Sequence, residues 1–187
     1  MPYNFKDALA LTGALIGWFK KPRLRIEFSL PEDLREWDLL GGGRKQKVAT
    51  VHVRNNRRAT AERCVAVLKL ISAPPGATVQ EKEFVLHWAD TDYKAHTNIA
   101  EPVDIGIEPR RLDMVFTVSV EGRPPTVGAW VAIPLALSAP FLANQAYLPP
   151  GEYRFRLAVE CANGKGASKE FLISSPPFWS GLSARSV

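Results

Sequence analysis

The sequence predicts a mainly β chain: an antiparallel β-sandwich of about seven or eight strands preceded by an amphipathic N-terminal helix. Apolar and polar residues alternate with period two in several segments, the mark of strands with one buried face. Clusters of Gly, Pro and Asn separate those segments. No strong helical segment stands among them, and no GxGxxG or P-loop argues for an α/β arrangement.

At 187 residues the chain has room for one domain, or one domain with an appendage. Its 46% hydrophobic and 23% charged residues exclude a disordered chain, a collagen-like chain and a polytopic membrane protein. A domain of this size buries roughly 70% of its unfolded surface and needs neither metal nor disulfide to hold a core. The expected division is a helix over residues 1–22, the sandwich over 23–176 and a C-terminal tail over 177–187.

From Phe5 to Lys21 the residues Phe5, Leu9, Ile16 and Phe19 share one helical stripe, which Leu11, Leu15 and Trp18 widen before Pro22 ends it. The uncharged part amounts to about 18 Å of helix at 1.5 Å per residue, short of the ~30 Å thickness of a bilayer. The segment either packs on the domain or on a second copy, or lies in a membrane interface with Trp18, Lys20, Lys21, Arg23 and Arg25 at the headgroups. Lys20, Lys21 and Pro22 stand where a signal peptidase would need small residues, so a cleaved signal is not expected and the cytoplasm, or the cytoplasmic face of a membrane, is.

The first strand is expected at Arg23 to Leu30, with Leu24, Ile26, Phe28 and Leu30 on one face. Residues 47–54 repeat the period with Ala49, Val51 and Val53 opposing Thr50, His52 and Arg54; Asn55 and Asn56 then supply turn chemistry. Residues 62–71 are apolar on both faces, as suits a strand central to a packed sheet. Further strands are expected at Glu83 to Trp88, Arg111 to Val120, Glu152 to Cys161 and Ser168 to Ser174, the last two joined by a glycine-bearing hairpin loop.

Residues 124–151 carry six prolines and no charge, yet include Trp130, Ile133, Leu135, Leu137, Phe141, Leu142, Tyr147 and Leu148. This is expected to be an insertion whose Ala129 to Leu137 portion adds an edge strand that tolerates Pro134. The alternative is an exposed apolar surface for a partner.

Two local patterns carry a resemblance. Val51-x-Val53-x-Asn55, followed by Ala61 and the apolar strand from Cys64 to Ile71, resembles the second and third strands of bacterial immunoglobulin-like adhesion modules of the CARDB kind. Leu148-Pro149-Pro150-Gly151-Glu152-Tyr153 is similar to the tyrosine corner of immunoglobulin and fibronectin type III sandwiches, where the Tyr hydroxyl ties back to upstream backbone. The resemblance implies an immunoglobulin-like sandwich and a non-catalytic role. Cys161 lies eight residues past Tyr153 rather than two, so the antibody-type disulfide is not expected.

The charge is uneven. Residues 1–70 carry 14 basic and 7 acidic side chains, and residues 71–187 carry 10 and 12. The clusters Arg44-Lys45-x-Lys47 and Arg54, Arg57, Arg58 could converge near strand ends as an anion or nucleic-acid contact, but no aromatic residue is interleaved for stacking, and solvated turns explain them as well. His87, Asp90, Asp92, His96 and Asp104 fall within 18 residues, but their spacing matches neither HExxH nor an EF-hand. No metal and no cofactor are expected. Cys64 and Cys161, 97 positions apart, match no zinc or CxxC spacing and read as two small core residues with unpaired thiols.

No motif ties a nucleophile to any of the three histidines, so no catalytic residue is assigned and the chain is not expected to be an enzyme. The expected function is that of an interaction module binding an unidentified protein or a second copy of itself. Its partner-binding candidates are Phe5, Leu9, Ile16, Trp18 and Phe19 in the first segment and Trp130, Leu135 and Phe141 in the uncharged one. The alternative is a nucleic-acid or anionic-surface binder using the basic N-terminal end.

Overall fold

The computed structural model describes residues 21–28, 34–39, 44–79, 82–86, 88–89, 102–120, 123–130, 145–175 and 181–187. Twelve strands run through them: β1 (Leu24–Glu27), β2 (Leu34–Leu39), β3 (Arg44–Asn55), β4 (Ala61–Ser72), β5 (Glu83–Val85), β6 (Val103–Ile105), β7 (Arg110–Val120), β8 (Arg123–Trp130), β9 (Gln145–Leu148), β10 (Gly151–Glu160), β11 (Ala167–Ser175) and β12 (Ser183–Ser186). They form two antiparallel sheets. The first runs β1-β3-β7-β8-β9, with β2 sharing the β1 edge of β3; the second runs β12-β11-β10-β4-β5, with β6 sharing the β5 edge of β4.

One core lies between the sheets. Ala49, Val51, Val53, Leu112 and Met114 supply it from the first sheet, and Cys64, Ala66, Leu68, Tyr153, Phe155, Leu157, Val159, Phe171 and Ile173 from the second, all 0% exposed. The period-two pattern is thus realised as a face: residues of one parity on β10 are buried while Arg154 and Arg156 face out. Phe28, just past β1, meets Phe171 of β11 edge-on at 5.5 Å. The strand expected to be central, residues 62–71, is β4, paired with β10 on one side and with β5 and β6 on the other.

Several expectations are corrected. The strand from Glu83 to Trp88 stops at Val85, with Trp88 continuing only as an isolated bridge to Leu112. Of the edge strand expected over 129–137, residues 131–137 lie outside the described residues; Ala129 and Trp130 close β8, Arg123–Trp130, which is internal, pairing with β7 on one side and β9 on the other. Pro124 and Pro125 are tolerated because they fall outside the β9 pairing and next to the irregular register between Val118 and Val120, where ladder donors are not required. Residues 177–187 are not only a tail, since Ser183–Ser186 adds β12 to β11 and buries Leu182 and Ala184. The expected N-terminal helix lies outside the described residues, which contain no α-helix.

Candidate functional site

At one end of the sheets, three connections and the approach to β1 are tied together by side chains whose amides and carboxylates mimic backbone partners. Asn55, the last residue of β3, is 4% exposed. Its Oδ1 accepts the Arg57 N–H at 3.1 Å, closing an Asx turn, and the Arg23 N–H at 3.2 Å. Its Nδ2 donates to the Ala59 carbonyl at 2.6 Å and to the Ile105 carbonyl at 3.2 Å. One short side chain therefore fixes the β3–β4 connection, the segment before β1 and the end of β6.

Asn163, in the β10–β11 hairpin, plays the matching part. Its Oδ1 accepts the Glu62 N–H at 2.9 Å and its Nδ2 donates to the Thr60 carbonyl at 3.0 Å. The same hairpin is held to the segment before β1 by Lys165 N–H to the Pro22 carbonyl and Leu24 N–H to the Lys165 carbonyl, both 3.0 Å. On β4, Arg63 adopts a left-handed conformation (φ 51°) at a register irregularity, which frees its N–H to donate to Asp104 Oδ1 at 2.8 Å.

Over this frame lies an open concavity of about 730 Å³. Arg58 and Thr60 line it from the β3–β4 connection, Asp104 from β6, Gly106 to Pro109 from the β6–β7 turn, and Arg110 from the start of β7. Ile107, on the turn, is 72% exposed, the highest value for a large apolar side chain among the described residues. Two guanidinium groups, two carboxylates and one exposed apolar side chain thus share a shallow surface. Such a set can recognise a partner by forked hydrogen bonds from Arg to carboxylate and by apolar contact. A smaller hollow of about 380 Å³ lies elsewhere, lined by Glu152, Leu172, Ser174, Ser183, Ala184 and Arg185.

Of the residues singled out in the sequence, Phe5, Leu9, Ile16, Trp18, Phe19, Leu135 and Phe141 lie outside the described residues, as do His87, Asp90, Asp92 and His96. Trp130 ends β8 opposite Gln145. Asp104 is the Arg63 partner just described, and among the described residues no group of three or more His, Cys, Asp or Glu side chains could hold a metal. His52 is half-buried on β3, opposite Glu27 and Arg111.

The two basic clusters do not converge. Arg44, Lys45 and Lys47 open β3 while Arg54 nearly closes it, and at about 3.3 Å per residue the ends of that 12-residue strand are about 36 Å apart. Arg54 moreover pairs with Glu27 at 3.4 Å. The sequence marks the Gly106-to-Pro109 turn only by the punctuation Gly106-x-x-Pro109 between buried Ile105 and the long alternation of β7.

Comparison with family models, with curated proteins and with solved structures found no match to this chain.

Proposed function

We propose that this chain is a non-catalytic interaction module, an immunoglobulin-like sandwich of the kind its Asn55 and Tyr153 motifs resemble, that binds a protein partner through the concavity at the Asn55 end. The observation that carries this reading is the combination of a hydrogen-bonded frame with an exposed recognition surface. Asn55, Asp104 and Asn163 hold the backbone, and Ile107 stands exposed in a concavity it shares with Arg58 and Arg110. A single exposed isoleucine is ordinary; one on a fixed turn with guanidinium groups in the same concavity costs little ordering entropy to engage. Loops clustered at the end of two packed sheets are the usual place for binding residues on such scaffolds. Residues 1–21, with their apolar stripe, would serve as a tether to a membrane surface or a second copy.

The test is site-specific photocrosslinking in the source cells, with a benzophenone side chain at position 107 and, as control, at Ile71, which is 41% exposed on β4. A discrete protein adduct is expected from position 107 alone, lost when Arg58 and Arg110 are changed to Glu. No adduct from position 107, or one that nuclease digests, would overturn the reading, and the second result would favour the nucleic-acid alternative.

A further inference from the structure

Strand pairing undoes the 97-residue separation of the two cysteines. In the β4–β10 ladder Leu68 opposes Leu157, Ala66 opposes Val159 and Val65 opposes Glu160, so the next position sets Cys64 against Cys161. Both lie on the core side, Cys64 fully buried and Cys161 half-buried against the same cluster. Ala66 offers its carbonyl to Leu86 beyond β5, so residues of its parity on β4, Cys64 included, turn their backbone away from β10. Cys64 and Cys161 therefore form a non-hydrogen-bonded pair. Such pairs hold their Cα atoms about 4.5 Å apart, within the ~4.4–6.8 Å that a disulfide spans. The thiols are close enough to interact, and both are free.

We propose that Cys64 and Cys161 are a dithiol that hydrogen peroxide oxidises to a cross-strand disulfide, clamping β4 to β10 beside the bulge at Arg63. Cys161 is the more exposed thiol and reacts first. Its sulfur attacks the peroxide, an S–O bond forms as O–O breaks, and the thiol proton leaves with the other oxygen as water. The Cys64 sulfur then attacks that sulfur: S–S forms, S–O breaks, and the departing hydroxide takes the Cys64 proton as a second water. Two thiols are oxidised by two electrons and one peroxide is reduced to two waters. Burial, with the nearby Cys161 and Asp104 charges, pushes the Cys64 thiol up to about 12, which makes the closing step the slow one and leaves the Cys161 sulfenic acid long enough to trap. The bond joins neighbouring strands of one sheet, unlike the disulfide that joins the two sheets of antibody domains, and it is independent of what the concavity binds.

The full chain, reduced and freed of reductant, is treated with hydrogen peroxide, denatured in N-ethylmaleimide and digested for mass mapping. The expected result is a linked peptide pair containing Cys64 and Cys161, with loss of both maleimide adducts, reversal by dithiothreitol and a dimedone adduct on Cys161 at early times. The thermal midpoint of the oxidised chain should rise and return on reduction. Cys161→Ser should leave Cys64 reduced over the same interval. The proposal is overturned if Cys161 proceeds to sulfinic acid, or links two chains, while Cys64 still takes maleimide in the native sequence.

Discussion

The Asn55 side chain donates to the Ile105 carbonyl at 3.2 Å across 50 residues of chain, and this bond is buried. Asn55→Ala would leave that carbonyl, the Ala59 carbonyl and the Arg23 N–H without their partner. The expected loss is about 2–3 kcal/mol, since an unsatisfied buried polar group costs more than a hydrogen bond gains. Asn55→Asp should be no better, because it sets a carboxylate oxygen against the two carbonyl oxygens that the amide now serves. Urea midpoints of the three proteins check both statements.

Tyr153 is 0% exposed and its hydroxyl donates to the Pro149 carbonyl at 2.7 Å. This is the backward tie that the tyrosine-corner motif implies. Tyr153→Phe keeps the ring in the core, stacked on Phe155 at 6.1 Å, and removes one hydrogen bond. A destabilisation of about 1 kcal/mol is expected, read as a lower denaturant midpoint at unchanged slope.

Gly164 lies against the backbone before β1. A Cβ there would stand 2.5 Å from the Pro22 carbonyl oxygen, which the Lys165 N–H holds at 3.0 Å. Gly164→Ala should therefore destabilise by about 1–3 kcal/mol, the usual range for overpacking. Differential scanning calorimetry would show a lower thermal midpoint, while Gly76→Ala, a control where no heavy atom stands close, should show only the strain of its left-handed backbone.

On the outer face of the second sheet, hydrogen bonds from Arg156 and Arg154 hold the Glu170 carboxyl below its usual 4.5. A depressed carboxyl stabilises fully above its unfolded value, and that contribution is lost as pH falls through the folded one. Denaturant midpoints between pH 7 and pH 2 should fall less steeply for Glu170→Gln than for the parent chain.

Alkaline stability runs the other way. Burial raises the Cys64 thiol from 9.0 to about 12, and burial also raises the Tyr153 phenol above 10. Raised acids favour the folded state fully below their unfolded values and lose that contribution as pH climbs toward the folded ones. Stability should thus decline from about pH 9 upward, and less so in Cys64→Ala. At pH 8 a thiol reagent should label Cys161 quickly and Cys64 only as the chain opens.

The sequence by itself determined the strands with strong alternation. Residues 152–161 could only bury one parity, and β10 does so; on β3 the register shift at Ala49/Thr50 buries Val48 and Thr50 along with Ala49, Val51 and Val53; the run from Cys64 to Ile71, apolar on both faces, became a strand flanked on both sides. The Leu148-to-Tyr153 motif likewise carried its own local bond. The short strands β2, β6, β9 and β12 were not legible, because three to six residues hold too few periods to stand out, and β8 was hidden by its prolines. Tertiary structure alone decided which strands are neighbours, and with that what meets at each end. It set two basic clusters at opposite ends of β3, joined two cysteines 97 residues apart and drew Asn55 to Ile105. The physical reason is that alternation is a local property of the chain, whereas register is set by pairing between segments whose separation in sequence carries no information about their distance in space.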